Sequence, residues 1–363
     1  MDNLIAIADL FKLQENKVLE VKKFGSGNIN HTFLVTTNST TEPHFVLQRL
    51  NTKVFHQPEL VMNNISTCCN RLRQELQQTP LKDRRWEVPR VLRVKNSDRT
   101  YYIDSQSSFW RGISYISNSQ SFDTVRDTKH GWEVGYGLGM FHNLIGNLDV
   151  TQLADTLPGF HITPNYLQNY QIVLKRAKVN NSSKVDYCLK FISDRAASAD
   201  ILETARERGE LKLRPIHGDP KVNNILLDRQ TQQAIALIDL DTVKPGLIHY
   251  DIGDCLRSAC NLLGEETSNW QNVYFDLDLA RSILQGYLSV AKFLTSNDYR
   301  YLYEAIRLLA FELGLRFFTD YLAGNIYFQV KYPEQNLNRA LVQFKLAQSI
   351  EVQKGAIKNL IHS

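Results

Sequence analysis

Three polar side chains in the centre of the chain have types and spacing that could carry chemistry. Asp219 and Asn224 lie five residues apart, and Asp239 follows the wholly apolar run 234–238. A hairpin in this part of the chain would bring the three side chains to one end of a sheet. Carboxylate and amide oxygens suit Mg2+, which takes one or two carboxylates together with substrate phosphates. The pattern therefore points to phosphoryl transfer, in which positioning and charge neutralisation do most of the catalysis.

The elements that must position these residues change in character along the chain. Before about residue 117, short blocks with a period of two predict strands, and a single helix is predicted at 58–77; the strand blocks are 18–24, 32–36, 44–50, 88–94 and 101–103. After that point helical periodicity dominates, apart from a strand-like block at 225–239; the predicted helices are 124–148, 164–177, 185–208, 250–263, 276–293, 298–322 and 334–362. We therefore predict an α+β protein with a small antiparallel β lobe, residues 1–117, and a larger helical lobe, residues 118–363.

Composition and charge narrow the function classes. The 363 residues are 43% hydrophobic and 22% charged, as in a soluble globular protein, and no apolar run approaches the roughly 18 residues of a bilayer span. The formal charge of +4 is too small and too dispersed for a nucleic-acid binder. Five cysteines without CxxC spacing suggest reduced core residues, and because the start Met1-Asp2-Asn3 has no basic segment we expect no secretory signal. We expect a cytoplasmic monomer or homodimer with no membrane or nucleic-acid partner.

A family resemblance rests on the central motifs. His217-Gly218-Asp219 with Asn224 matches the HGDxxxxN loop of the aminoglycoside phosphotransferase and choline kinase superfamily, a relative of the protein-kinase catalytic loop. The segment 238–241 stands where this superfamily has its second acidic motif. More closely, the chain resembles the N-acetylhexosamine 1-kinase branch in the stretches 45–51, 238–246, 250–254 and 315–322. The resemblance implies a bilobal protein-kinase-like fold and an ATP- and Mg2+-dependent small-molecule kinase.

The resemblance also implies roles for the central residues. Asp219 would accept or orient the proton of the acceptor hydroxyl, and Asn224 and Asp239 would hold Mg2+ on the nucleotide phosphates. Lys221 is placed to reach the acceptor or the transferred phosphate. Asp241 has three alternative roles: it touches the metal, it touches the acceptor, or it caps the following turn.

Two segments of the first lobe match nucleotide-binding positions of the superfamily. A glycine-containing loop between two predicted strands would lie over the ATP phosphates and consists of Gly25, Ser26, Gly27 and Asn28. Tyr115 and Ile116 stand near the predicted lobe boundary, where the superfamily binds adenine through backbone groups. A simple hairpin turn and the end of a core strand are the structural alternatives for these two segments.

The strand that should carry an ATP-contacting lysine departs from the family pattern. It has Gln48 and Arg49 instead, on opposite faces of the strand. Arg49 supplies the positive charge if its face turns into the cleft; if Gln48 faces the cleft, phosphate binding depends more on metal and loop. Glu59 and Glu75 on the next helix are the candidates for the acidic partner of this position.

The acceptor pocket is predicted from the last third of the chain. Arg316 and Tyr327 lie in or near the part that resembles the hexosamine kinases, and Asp320 is the one acid in 314–328. A pocket for a polycation should be richer in acids, so a neutral sugar is favoured. A cage that binds a cation through aromatic faces stays open as an alternative, built from Phe317, Phe318, Tyr321 and Tyr327.

The predicted function is therefore transfer of the ATP γ-phosphate to a sugar hydroxyl, with the anomeric hydroxyl of an N-acetylhexosamine as the specific candidate. An aminoglycoside or choline/amino-alcohol phosphotransferase is the first alternative. A catalytically silent nucleotide-binding protein is the second, and its support is the missing strand lysine.

Overall fold

A five-stranded antiparallel sheet forms the first part of the protein. The computed structural model describes residues 2–11, 16–25, 29–177 and 182–362. In chain order the strands of this sheet are β1 (Val18–Lys23), β2 (His31–Thr37), β3 (His44–Leu50), β4 (Tyr102–Ile103) and β5 (Phe109–Ser114). Their spatial order is β1-β2-β3-β5-β4, so β5 pairs with β3 although a helix and β4 separate them in sequence.

The two faces of this sheet pack differently. One face covers a small apolar core in which Phe11, Val35, Leu47 and Trp110 are buried, closed by helix α1 (Asp2–Asp9). The opposite face of β3 and β5 turns toward the rest of the molecule, where α2 (Pro58–Gln78) begins with proline in its first turn. Because side chains alternate along a strand, β3 can bury Leu47 on one side and direct Gln48 to the other.

The second part of the molecule is mainly helical. Its helices are α3 (Thr128–Ile145), α4 (Thr163–Leu174), α5 (Ser183–Arg195), α6 (Ile201–Glu207), α7 (Ile248–Ala259), α8 (Leu277–Val290), α9 (Ser296–Leu322), α10 (Gln335–Val352) and α11 (Lys354–His362). Helices α3 and α8 can approach closely because Gly135 has no side chain. A Cβ at this position would lie 1.9 Å from the Ile283 carbonyl oxygen. None of the helices in the described ranges is long and apolar enough to cross a membrane.

Two small sheets bring the central motifs together. Strands β6 (Ser119–Gln120), β8 (Ile225–Asp228) and β9 (Ala234–Leu237) form one sheet; β7 (Arg214–Ile216) and β10 (Lys244–Gly246) form the other. Ile225 pairs with Leu237, and Ile216 pairs with Lys244. The loops that follow β7 and β9 therefore lie side by side. The antiparallel pairing of β8 with β9 confirms the hairpin predicted around the central motifs.

Most predicted elements are present, and the α+β class is confirmed. The predicted strand 88–94 is wrong: an isolated bridge between Val91 and Ile113 replaces it, since Pro89 has no N–H to donate. Helix α1 and strand β5 are not among the predicted elements, and the predicted helices at 185–208 and 334–362 are each broken. The five cysteines are buried and unpaired, as expected for core residues. The division at residue 117 stays a prediction.

Candidate active site

The loop after β7 is fixed by a carboxylate from helix α7. Asp251 is fully buried and accepts the backbone N–H groups of His217 and Gly218, at 2.7 and 2.8 Å. Its Oδ2 also lies 2.8 Å from His142 Nε2. Burial alone would raise the pKa of Asp251, but the bond and charge of His142 and the N–H of His217 hold that pKa below its usual value. The loop is thus anchored to the helical core by a charged, fully bonded group.

His217 links this loop to the segment after β9. Its Nε2 lies 2.9 Å from the Ile238 carbonyl oxygen, and its Nδ1 lies 3.2 Å from the Asp219 backbone nitrogen. A neutral ring with the proton on Nε2 satisfies both bonds. Burial lowers the pKa of His217, which favours this neutral form. With both ring nitrogens engaged, the ring braces the loop and does not shuttle protons.

A second histidine supports the loop from the other side. His161 Nε2 lies 3.0 Å from the Gly218 carbonyl oxygen, and its Nδ1 lies 2.9 Å from Glu312 Oε1. Although burial opposes it, the charge of Glu312 raises the pKa of His161. Both partners are acceptors, so the doubly protonated ring, which donates from both nitrogens, fits best. The sequence analysis missed His161 because nothing in its local pattern marks it.

The side chains of the loop converge on Asp219. Lys221 Nζ lies 2.7 Å from Asp219 Oδ2, and Asn224 Nδ2 donates to the Asp219 carbonyl oxygen at 2.9 Å. Among the described residues no hydrogen bond reaches Asp219 Oδ1, so this oxygen is left for a ligand. Since the Asn224 amide nitrogen is used within the loop, its oxygen is the atom available to a cation. Asn223 instead donates to Asp123 at 3.2 Å and supports the loop from outside.

Asp239 has the backbone conformation and the charge of a ligand-binding residue. Its φ and ψ of 64° and 55° are left-handed, which is uncommon outside glycine, and its side chain caps no N–H of the turn 240–242. Asp239 is exposed, so its desolvation is incomplete. Desolvation, together with repulsion from Asp241 and Asp219, raises the pKa of Asp239 above its usual value.

These features fit a divalent cation. A bound cation would relieve the repulsion at Asp239 and would use the free oxygen of Asn224. Within the described ranges no three His, Cys, Asp or Glu side chains gather as a metal site. The chain would therefore contribute one carboxylate and one amide oxygen, and ligand oxygens would complete the coordination shell.

A buried arginine that sequence reasoning missed lies on the cleft face of the sheet. Arg111 on β5 stands opposite Gln48 on β3 and donates to its Oε1 from Nε and Nη2, at 3.0 and 2.7 Å. The guanidinium also lies 2.5 Å from Asp241 Oδ1, an ion pair that lacks hydrogen-bond geometry. Asp241 Oδ2 accepts Asn30 Nδ2 at 2.6 Å. Asp241 is thus buried between the sheet and the helical part.

This geometry decides between the two predicted strand residues. Gln48 faces the cleft, whereas the Arg49 guanidinium lies 5.9 Å from the centre of the Trp110 ring on the other face. The structure does not bring Arg49 to Asp239, because alternate residues of a strand point to opposite sides. The expected acidic partners are also corrected: Glu75 pairs with Arg71 on its own helix, and Glu59 is exposed.

Of the predicted nucleotide loop and adenine neighbours, the structure describes Gly25, Tyr115 and Ile116. Gly25 has a φ of 75°, which glycine adopts without strain, in the hairpin between β1 and β2; Ser26, Gly27 and Asn28 lie outside the described residues. The Tyr115 ring lies edge-on to Phe24, with 6.1 Å between centroids. Ile116 is buried in a small apolar cluster with Leu226, Ile235 and Ala236.

Comparison with known proteins identifies the family. A model of the "Phosphotransferase enzyme family" matches residues 20–288, which run from β1 to α8 and include the Asp219 loop and Asp239. The match covers more than half of the chain. The protein belongs to this phosphotransferase family.

Solved structures share the whole fold at low sequence identity. A microcompartment-associated aminopropanol kinase has a TM-score of 0.62 at 16% identity, with 98% of each chain covered. A choline kinase from Cryptosporidium parvum has a TM-score of 0.60 at 14% identity, over 98% of this chain and 97% of that one. The GDP complex of aminoglycoside 2'-phosphotransferase-IIIa has a TM-score of 0.56 at 13% identity, over 99% and 98%. The predicted protein-kinase-like fold is therefore confirmed.

Arg316 on helix α9 lies among aromatic rings. Its Cζ is 4.9 Å from the ring centre of Tyr166, 5.4 Å from Phe160 and 5.5 Å from Phe328. Although burial opposes it, Tyr166 and Glu312 and, more weakly, Tyr327 raise the pKa of Arg316. Tyr327 itself is 65% exposed.

Arg316 and Lys221 share one acidic neighbour. Burial opposes the charge of Lys221, but Asp219 raises its pKa and Asp254 adds to the effect. Asp254 also acts on Arg316. The two cations therefore lie within electrostatic range of the same carboxylate. Arg257 Nε donates to Asp254 Oδ1 at 2.8 Å, so the negative charge of Asp254 is compensated by this arginine.

Proposed function

We propose that this phosphotransferase is an ATP- and Mg2+-dependent small-molecule kinase that phosphorylates a sugar hydroxyl, specifically the anomeric hydroxyl of an N-acetylhexosamine. Family membership gives the reaction class. The observation that carries the mechanism is the convergence of Asp219, Asn224 and Asp239 at adjoining loop ends. The GDP bound by the structurally similar aminoglycoside phosphotransferase supports a nucleotide donor.

Each residue of the site has a defined task in this proposal. When bound, Mg2+ supplies charge neutralisation on the nucleotide phosphates, and Asp239 and the Asn224 oxygen would hold it. Asp219 Oδ1 accepts or orients the proton of the attacking hydroxyl. Lys221, 2.7 Å from Asp219 Oδ2, keeps that carboxylate oriented and places a positive charge beside the transferred group. Tyr115 and Ile116 border the adenine, and Gly25 begins the loop proposed to cover the phosphates.

The proposed acceptor side contains two cationic side chains, and both have acidic neighbours. Arg316 and Lys221 both lie there, and the acid Asp320 is not free to bind an ammonium group. Asp320 is 6% exposed, and its carboxylate accepts the backbone N–H groups of Ile326, Tyr327 and Phe328 at 2.8–2.9 Å. Its role is to shape the loop that carries Tyr327. Because the Asp320 carboxylate is used in this way, it offers no free acid to an ammonium group, which supports a neutral polyol over an aminoglycoside.

The aromatic-cage alternative also receives little support. Phe317 and Phe318 are 2% and 0% exposed in the core, and Tyr321 packs on Phe318. Of the four cage candidates, Tyr327 alone is strongly exposed. The other aromatic rings near the acceptor side surround the guanidinium of Arg316. A quaternary ammonium ligand would have to compete with this resident cation.

The test is a coupled ADP-release assay with N-acetylhexosamines, hexoses, choline, ethanolamine and an aminoglycoside. We expect turnover with a sugar, and phosphorus NMR should show an anomeric phosphate. Turnover with choline or an aminoglycoside but with no sugar would overturn the substrate proposal. Tight Mg-ATP binding without turnover on any acceptor would favour the silent nucleotide-binding alternative.

A further inference from the structure

The charge of Arg111 is committed to a set of partners that spans the cleft. The side chain is 1% exposed and donates to Gln48 within the sheet. Met62 on α2 is a further neighbour, and its Sδ lies 3.9 Å from Nη1. A buried guanidinium is stable only when its charge is compensated. Asp241, the carboxylate that pairs with it, belongs to the turn after β9.

Asp241 is held to the sheet at both oxygens. Arg111 pairs with Oδ1, and Asn30 donates to Oδ2. Asn30 lies just before β2, and its own Oδ1 accepts the backbone N–H of Asn51 at 3.0 Å. The two contacts therefore tie Asp241 to the middle strands of the sheet and to the hairpin that begins at Gly25. Asp241 lies two residues after Asp239, so the same contacts restrain the candidate metal ligand.

The charges of this group are interdependent. The negative charges of Asp241 and Asp219 repel the Asp239 carboxylate, whereas the positive charge of Arg111 attracts it. Without Arg111, the buried Asp241 carboxylate would lose its ion-pair partner. Its repulsion of Asp239 would then be uncompensated before any nucleotide arrived.

We propose that Arg111 is a positioning residue of the phosphate site. Arg111 on β5 supplies the positive charge that β3 lacks. Through its ion pair with Asp241, it holds the turn 240–242 and the preceding Asp239 against the sheet. The family pattern has a strand lysine that pairs with a glutamate of the next helix. In this chain the ion pair of Arg111 and Asp241 takes that place, and Gln48 supports Arg111 through hydrogen bonds. This inference rests on the proposed kinase function, since it concerns the binding of a Mg-nucleotide.

The experiment compares Arg111→Gln, Arg111→Lys, Asp241→Asn and the double variant Arg111→Gln/Asp241→Asn by calorimetric titration with Mg-ADP and by urea unfolding. We expect Arg111→Gln to weaken Mg-ADP binding about tenfold or more and to lower stability. Lysine should restore part of the affinity. The double variant should regain stability, because no unpaired buried charge remains, but should not regain affinity.

The outcomes separate a positioning role from a structural one. Wild-type affinity in Arg111→Gln, or affinity that recovers with stability in the double variant, overturns the inference while the kinase proposal stands. A wild type that binds no Mg-ADP overturns both. Arg307→Gln is the matched control: this buried arginine pairs with Glu304 and Glu351 in the helical part, so its loss should reduce stability without changing Mg-ADP affinity.

Discussion

The Asp251 carboxylate accepts the backbone N–H of His217 across a sequence separation of 34 residues. It also accepts the N–H of Gly218, and His142 contacts it from helix α3. Because α7 and α3 belong to the packed helical core, this single carboxylate transmits the rigidity of the core to the loop that carries Asp219. The loop that carries Asp219 is thus held by a buried charge from the helical core in addition to the hydrogen bonds within the loop.

Asp251→Asn should damage both stability and turnover. Asparagine has one accepting oxygen, so it can accept only one of the two N–H groups of His217 and Gly218, and its NH2 group would face the other. We expect the free energy of unfolding to fall by about 3–5 kcal/mol, as when a buried charged pair is broken. Urea unfolding measures this loss, and kcat should fall with it. Asp276→Asn is the control, since the cap of α8 that Asp276 forms survives replacement by asparagine. An equal loss in both variants contradicts the anchoring role.

Gly218→Ala tests the tight packing between the two adjoining loops. Gly218 has a φ of 87°, and a Cβ there would lie 2.7 Å from the Thr242 carbonyl oxygen. Gly209 has a similar φ of 71° but open space around its Cβ position. Gly209→Ala should cost about 1–2 kcal/mol from backbone strain alone. Gly218→Ala should cost about 1–3 kcal/mol more and should also reduce kcat, because the Asp219 loop must move. Equal unfolding energies for the two variants would contradict the close contact.

The central residues could be predicted from sequence because their relationship is local. Asp219 and Asn224 share one loop, and Asp239 follows the partner strand of the same hairpin. Arg111 could not be predicted in this way. Its role depends on the pairing of β5 with β3, two strands far apart in sequence, whose register places Arg111 opposite Gln48. Local periodicity contains no information on such a register.

His161 was missed for a similar reason, and its contacts predict a dependence of stability on pH. The raised pKa of His161 means that its pairing with Glu312 stabilises the fold fully below the unfolded value of about 6.5. This contribution disappears as the pH rises through the higher folded pKa. His161→Gln removes the titration while retaining a hydrogen-bond donor for Gly218.

The measurement is the free energy of unfolding of wild type and His161→Gln at a series of pH values from about 6 to 9. The advantage of the wild type should be largest at the acidic end and should shrink toward the alkaline end. Glu312→Gln, which removes the charge that raises the His161 pKa, should show no such slope. A constant or growing difference between wild type and His161→Gln would contradict a charged His161.

Asp219→Asn separates phosphoryl transfer from nucleotide binding. The amide cannot accept the hydroxyl proton, so kcat should fall by about 10²–10⁴-fold, the range for loss of a general base. Mg-ADP affinity should change little, because Asn224 and Asp239 are assigned to the metal and Asp219 is not. Steady-state kinetics and calorimetric titration measure the two effects. Full activity in this variant would contradict the assignment, and a parallel loss of nucleotide binding would place Asp219 in the metal site.

Arg316→Gln tests the acceptor side without disturbing the nucleotide side. Arg316 lies among Phe160, Tyr166 and Phe328 on the proposed acceptor side, where its guanidinium would donate hydrogen bonds to the sugar oxygens. Loss of a charged hydrogen bond, worth about 1.5–3 kcal/mol, should raise the KM for the sugar about 10- to 100-fold and leave the KM for ATP unchanged. Arg195→Gln is the matched control, because Arg195 also stacks on a ring, Phe191, but pairs with Glu351 away from the catalytic loop. A changed KM for ATP, or an unchanged KM for the sugar, would place the acceptor elsewhere.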